Sequence, residues 1–361
     1  AVEGWRLMFV GVDGGAAHTC ALSADGRVYC WGKNSSGELG RGHTSAQPEV
    51  APILSTSVSS FAAISTGNQH SCARSNKGEI WCWGDNASGQ LGDGTIVDRS
   101  TPVKVVGLGG AAVSIAAGDG FTCAVTSEGA VMCWGLNAES TLGNNGTSNS
   151  SVPVSVVTGT GALSGELAVY AGRVHACARG TSDIWCWGDN SYGALGNAGT
   201  FNDSKVAIQV TDVTSATELA LGAFHSCARL ASGGVRCWGS NFFGELGNGT
   251  TANEWTSVAV SSLANVTKLA DLAGANCALQ TSGAVRCWGH NSSGQLGTGG
   301  TGNSTVPVVV SSLTAFSIGG GYTHACAVVA DGLQCWGANG AGQLGDGTTT
   351  NRSSPVDVIL P

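Results

Sequence analysis

The stretch GNQHSCARSNKGEIWCWGDNASGQLGDGT, residues 67–95, decides the architecture. It opens on a polar turn, Gly67-Asn68-Gln69-His70, and runs into a short strand at 71–74. A turn at 75–78 reverses the chain into a second strand at 79–83. Residues 84–92 form a glycine-rich connection to a further strand at 101–106, and an apolar run at 62–66 precedes the whole. No segment repeats its apolar residues with the 3.6-residue period of a helix, whereas short alternating runs between Gly, Asn, Asp and Ser turns indicate strands.

The stretch is one copy of seven. Cys-Trp-Gly recurs at Cys30, Cys82, Cys133, Cys186, Cys237, Cys287 and Cys335, at steps of 48–53 residues, and each tryptophan is followed eight residues later by Leu-Gly. A period near 50 residues carrying four short strands indicates an all-β, seven-bladed β-propeller of four antiparallel strands per blade. The last strand recurs near 152–156, 206–210, 256–260, 306–310 and 355–359. Its prolines (Pro102, Pro153, Pro307, Pro355) cannot donate to a ladder, so this strand is expected at a blade edge or a strand start. The repeats occupy nearly all of residues 1–361, which predicts a single domain.

Three strings, Gly-x-x-His-x-Cys-Ala, Val/Ile-x-Cys-Trp-Gly and Asn-x-x-Gly-Gln-Leu-Gly-x-Gly-Thr, resemble the repeat of the regulator-of-chromosome-condensation family; residues 67–73, 80–84, 86–95 and 339–348 display them. The resemblance implies a propeller with one blade completed from both chain ends, here by 7–12 and 355–360. The member that names the family acts as nucleotide exchanger for a small GTPase and docks on chromatin. Neither role is expected here. No repeat carries the wedge insert to which exchange is attributed, and the net charge of −8 has no basic cluster to hold phosphates. The Gly-, Ser-, Thr- and Asn-rich loops resemble bacterial surface members.

All 14 cysteines fall into pairs ten or nine residues apart: Cys20/Cys30, Cys72/Cys82, Cys123/Cys133, Cys177/Cys186, Cys227/Cys237, Cys277/Cys287 and Cys326/Cys335. The partners lie on consecutive strands at equal distance from a tight turn, where Cα atoms come close enough for a disulfide. Zinc would need close Cys-x-x-Cys or Cys/His clusters, and there are none. One disulfide per blade requires an oxidising compartment, so the expected location is secreted or cell-surface, as a mature form after signal-peptide removal. No apolar run is long enough to span a membrane as a helix, so no membrane insertion is expected.

Five histidines (His18, His70, His175, His225, His324) stand two residues before the first cysteine of a unit. Phe121 and Ala275 replace them in two units, so they are expected to satisfy their own blade's backbone rather than hold a metal. The Cys-Trp-Gly tryptophans are expected between blades. Nucleophile-elbow, zinc-protease and phosphate-loop motifs are absent, and no cofactor is implied. Asp93 and Asp346 lie in Gly-Asp-Gly-Thr turns without the oxygen spacing of a calcium loop. Ten Asn-x-Ser/Thr sequons, among them Asn34, Asn86, Asn248 and Asn303, arise largely from the repeated Asn-rich loops.

Where the template breaks, aromatic residues enter the loops: Tyr192, Phe242 and Phe243 at positions that are mostly small elsewhere, joined by Phe201 and Trp255 in the neighbouring loops. Such side chains are typical partner anchors, and these five form the candidate binding site. Phe121, Phe224 and Tyr322 precede cysteine strands and point to a second rim. The expected function is a non-enzymatic binding module, an adhesin or self-assembling surface subunit, with a protein or glycan partner. Two alternatives stand beside it: an inhibitor of a secreted enzyme, by resemblance to a beta-lactamase-inhibiting propeller, and an enzyme with a site assembled across blades.

Overall fold

The computed structural model describes residues 8–55, 60–198 and 202–360. In it, consecutive strands associate four at a time into seven antiparallel sheets arranged as blades around a central channel. Blade two runs from its innermost strand Phe61–Thr66 through His70–Ser75 and Ile80–Gly84 to the outermost strand Arg99–Lys104. The outermost strands carry Pro102, Pro153, Pro307 and Pro355, on the edge where a missing N–H costs no ladder bond. They begin about two residues earlier than the hydrophobic pattern suggests. The ladder slips between Cys82 and Gly84, so that Gly84 faces Arg99 while Cys82 faces Val103, and the polar residues ahead of the apolar run are drawn into the strand.

Among the described residues, the two chain ends do not share a blade. The strand Phe9–Gly14 pairs with His18–Ser23 in the first sheet, and Arg352–Asp357 pairs with Gly332–Gly337 in the last. The ring closes by packing instead. Phe9, Val12, Tyr29 and Trp31 of blade one form one buried cluster with Val328, Leu333, Leu344 and Val358 of blade seven.

Every blade junction uses the same parts. The tryptophan of each Cys-Trp-Gly is fully buried, and its indole Nε1–H donates across to the preceding blade, to the carbonyl just before that blade's Leu-Gly. Trp83 thus reaches Glu38, Trp134 reaches Gln90, Trp187 reaches Thr141, Trp238 reaches Ala194, Trp288 reaches Glu245 and Trp336 reaches Gln295; Trp31 reaches Gln343 and closes the ring, all at 2.8–2.9 Å. The glycine of Leu-Gly is required twice over. Its φ is positive (+67° at Gly92), and a Cβ there would lie 2.7 Å from Trp134 Nε1. Burying one such indole removes roughly 150–250 Å² of surface, about 4–6 kcal/mol of hydrophobic stabilisation.

The loop that receives the tryptophan is held by its asparagine. Asn86 is fully buried, its Oδ1 accepts Leu91 N–H at 3.0 Å, and its amide donates to the carbonyls of Thr95 and Val97. Asn34, Asn137, Asn190, Asn241, Asn291 and Asn339 make the same bond to their own leucines. The sequons at Asn34, Asn86 and Asn291 therefore spend their amides inside the fold. Asp93 and Asp346 are likewise occupied, by Thr95 with Arg99 and by Thr348 with Arg352.

All seven disulfides form between the expected partners, facing each other across the second and third strands with Cα atoms 4.1 Å apart. Their half-cystines are buried. Each bridge closes a local ring inside one blade, so each acts separately, and loss of one through Cys277→Ala/Cys287→Ala should cost about 2.5–3 kcal/mol. Thiol titration in denaturant is expected to find no free thiol before reduction and 14 after it. A guanidinium midpoint unchanged in the double variant would show that the ring, not the bridge, limits unfolding.

Candidate functional site

Strand direction sorts the loops by face. The connections from first to second strand and from third to fourth strand emerge at the same end of the ring, here the loop face. Around the channel mouth on that face stand Ala16, Asn68, Asp119, Arg173, Ala223, Ala273 and Tyr322, one per blade. The glycine-rich loops form an outer circle beyond them.

Beneath this surface the histidines form a second set of inter-blade ties. His70 Nε2 meets Thr122 Oγ1 of the next blade at 2.9 Å, and that hydroxyl donates to Gln90 O, the carbonyl already used by Trp134. His18 meets Ser71, His175 meets Ser226, His225 meets the Asn276 amide oxygen, and His324 meets Thr19 across the closure. They serve the neighbouring blade rather than their own, because the ring lies flat over a glycine three residues upstream. A Cβ at Gly67 would come within 2.3 Å of His70 Cε1. Where Ala275 takes the histidine position, Leu272 occupies the glycine's place, and the partner position of the next blade is Ala325. Phe121 similarly faces a blade whose partner position is Ala176. Burial pushes His18, His70, His175 and His324 down to about 3 and His225 to about 4, so all five are neutral at neutral pH. Because the facing hydroxyls already donate to carbonyls and Asn276 presents its amide oxygen, the proton is assigned to Nε2.

The central channel encloses about 440 Å³. Asp13 accepts from Thr66 N–H and Oγ1 of the next blade, and burial lifts it to about 6. Asp271, in the same channel, is raised to about 8 by burial and by the charge of Asp13. Lys268 shares this wall and donates to Ser317 at 2.9 Å. The remaining mouth is exposed and partly apolar, with Val10, Val113, Leu167 and Phe316 at equivalent positions of four blades.

The aromatic residues lie on the loop face over blades four to six. Tyr192 packs edge-on against Phe242, ring centroids 5.4 Å apart, and against Phe224 at 5.3 Å; Phe243 lies against His290 at 4.5 Å. Phe224 thus joins the strip rather than a separate rim, while Phe121 is core. Phe242 is 57% and Phe243 43% exposed, high for rings with neighbours available to cover them. Trp255 sits half-buried over Gly193, where a Cβ would lie 2.2 Å from its Cδ1; other blades place Ser100, Ser151 or Thr305 on the equivalent glycine. Trp255 is therefore mainly a wall of the loop that carries Tyr192. Phe201 lies outside the described residues.

Next to the strip is a feature that the repeat pattern does not announce. Glu139, Asp189 and Asp203 bring carboxylate oxygens within 4.8 Å of one another. The one signal in the sequence is Glu139 itself, at the loop-tip position that is Tyr192 in blade four and Phe243 in blade five. Asp203 accepts Asn190 N–H and Asp189 accepts Ser191 Oγ, and burial together with the charge of Asp203 raises Asp189. Among the described residues these are the group spaced to hold a cation.

Residues 3–323 match the model of the RCC1-like domain. The chain belongs to that family. Human HERC2, an E3 ubiquitin-protein ligase, is 31% identical over 258 residues, 69% of this chain but 5% of HERC2. The ultraviolet-B receptor UVR8 of Arabidopsis thaliana is 31% identical over 242 residues, 66% of this chain and 54% of UVR8. The chain therefore spans about half of the second relative and a small fraction of the first. Among solved structures, Prp20p of Saccharomyces cerevisiae superposes with a TM-score of 0.80 at 21% identity, covering 93% of this chain and 86% of Prp20p. Human WBSCR16 gives 0.77 at 19% identity, covering 88% of this chain and 85% of that one. At such identities the likeness concerns the fold.

The histidine ties carry a pH signature. A histidine whose folded value is depressed supplies stability that is full above its unfolded value near 6.5 and is lost as pH falls towards 3. The carboxyls of Asp13 and Asp271 are raised instead, so their contribution is full below about 4 and is lost as pH rises through 6 to 8. Replacing His175→Phe with Ser226→Ala copies the Phe121–Ala176 junction already present in the chain. Thermal unfolding from pH 3 to 9 should show a shallower acid limb for this variant and an unchanged alkaline limb. An unaltered acid limb would show that His175 does not titrate on unfolding.

Proposed function

We propose that this RCC1-like propeller is a non-enzymatic binding module of an oxidising compartment, secreted or displayed at a cell surface, that presents its loop face to a protein or glycan partner. The observation that carries the reading is an aromatic strip in which exposed Phe242 and Phe243 adjoin half-buried Tyr192 and Phe224. Tyr192, Phe242 and Phe243 stand at loop tips where blades one, two and six carry Ser or Ala, so no packing requirement of the repeat calls for them. Rigid aromatic anchors of this kind hold large contact area at little entropic cost. Seven disulfides support the compartment. Asp13 and Asp271, both raised by burial, lie in the channel wall away from the aromatic strip, and Asp13 is held there by Thr66.

Protein recognition has a precedent on this fold, since Prp20p binds Gsp1p and histones. The net charge of −8 of the present chain does not favour a phosphate-rich surface.

Phe242→Ser/Phe243→Ser should leave the unfolding temperature within about 2 °C of wild type, because both rings are exposed. The same variant should weaken capture of native envelope or culture-medium partners roughly 30-fold, the size of a ~2 kcal/mol anchor. Quantitative pull-down against wild type checks this, and equal recovery of the same partners by both proteins would remove the strip from the binding surface.

A further inference from the structure

The loop face is asymmetric in a way that specifies what it binds. In ring order the tips facing solvent are Ser36, Ser88, Glu139, Tyr192, Phe243, Ser293 and Ala341. Three consecutive blades thus replace small residues by one acid and two aromatics, with Phe242 and Phe224 widening the aromatic part. At the acidic end Glu139 of blade three meets Asp189 and Asp203 of blade four within 4.8 Å. Blade two carries the same aspartate pair, Asp85 and Asp98, but the tip before it is Ser36, so only this junction gathers three carboxylates among the described residues. Among those residues, no lysine or arginine is ion-paired with any of the three, although acids elsewhere on the surface do have such partners, as Asp119 has Arg173. Ser191 connects the two parts: its hydroxyl donates to Asp189, and the next residue is the Tyr192 that packs on Phe242.

An apolar strip with three unneutralised carboxylates at one end has a complement of definite chemistry. We infer that the partner is a protein and that it presents an exposed segment in which Lys or Arg side chains stand beside large apolar ones. The cationic group would meet Glu139, Asp189 and Asp203, while the apolar side chains cover Phe242, Phe243 and Tyr192. An arginine suits the junction best, because its planar guanidinium stacks on an aromatic ring while forking to carboxylates. A neutral glycan would cover the rings and leave the carboxylates uncompensated. This inference rests on the binding-module reading and adds the charge and class of the partner.

The test is selection of a phage-displayed random 12-residue peptide library on the oxidised intact chain, in 150 mM NaCl without calcium. Enriched peptides are then measured against wild type, Glu139→Gln/Asp203→Asn and Phe242→Ser/Phe243→Ser. The blades themselves use asparagine at the Asp203 position (Asn149, Asn253), so the first variant keeps its loop. The expected result is enrichment of Lys or Arg next to Trp, Phe or Leu, with binding weakened about tenfold or more by each variant and by 500 mM NaCl. Peptides lost with the phenylalanines but indifferent to the carboxylates would overturn the inference and leave the binding-module reading standing. Peptides indifferent to both variants, or no enrichment, would overturn the inference. Retention of native partners by the Phe242→Ser/Phe243→Ser variant would in addition overturn the reading beneath it. Binding that requires 1 mM CaCl2 would overturn the inference in favour of a metal held by the carboxylates.

Discussion

The ring depends on one contact made seven times: an indole N–H of one blade donating to a loop carbonyl of the blade before it. The bond satisfies a donor that would otherwise be costly to bury with its large apolar ring. It also sets the distance between blades, because the receiving loop offers only glycine beneath the indole. Five of the same carbonyls take a second donor from a Ser, Thr or Asn, which in turn engages a histidine of the receiving blade. Inter-blade polar contacts are thus concentrated on a small set of backbone acceptors. Blades one and seven meet through this same contact, which is why the chain closes without exchanging a strand between its ends.

That economy separates scaffold from surface. Each blade is internally fixed by its disulfide, its asparagine-held loop and its antiparallel ladders, and externally fixed by the tryptophan contact. The loop tips carry no part of this, so they can vary without cost to the ring. Glu139, Tyr192, Phe242 and Phe243 use that freedom on adjacent blades. Elsewhere on the same face Lys33 pairs with Glu38 and Gln69, and Asn68 with Asp119. The contrast between those paired polar groups and the exposed phenylalanines is the basis for proposing recognition on blades three to six.

Internal repetition makes much of this legible. The disulfide partners follow from equal offsets about a turn, and the burial of the tryptophans follows from their strict phase. The structural role of the histidines is legible too, but a single unit gives no hint that their partners lie one blade on. That relation becomes visible only when His70 is paired with Thr122, His175 with Ser226, and the exceptions Phe121 and Ala275 with Ala176 and Ala325. Closure by both termini, implied by family resemblance, gives way because residues 9–14 supply a complete innermost strand for blade one. Of the aromatic loop residues, Phe242 and Phe243 stand exposed and Tyr192 joins them, whereas Trp255 fills the space above Gly193.

The sequence by itself determined the blade count, the strands per blade, the seven disulfides and the loops that depart from the template, because each is a local property repeated in phase. Only the tertiary structure decided which departures meet. Glu139 lies 50 residues before Asp189 and 64 before Asp203 in the chain, yet ring packing brings their carboxylates together beside the Tyr192–Phe242 strip. Neighbourhood across blades is set by the angle at which identical interfaces repeat, a property of the closed ring that no single repeat contains.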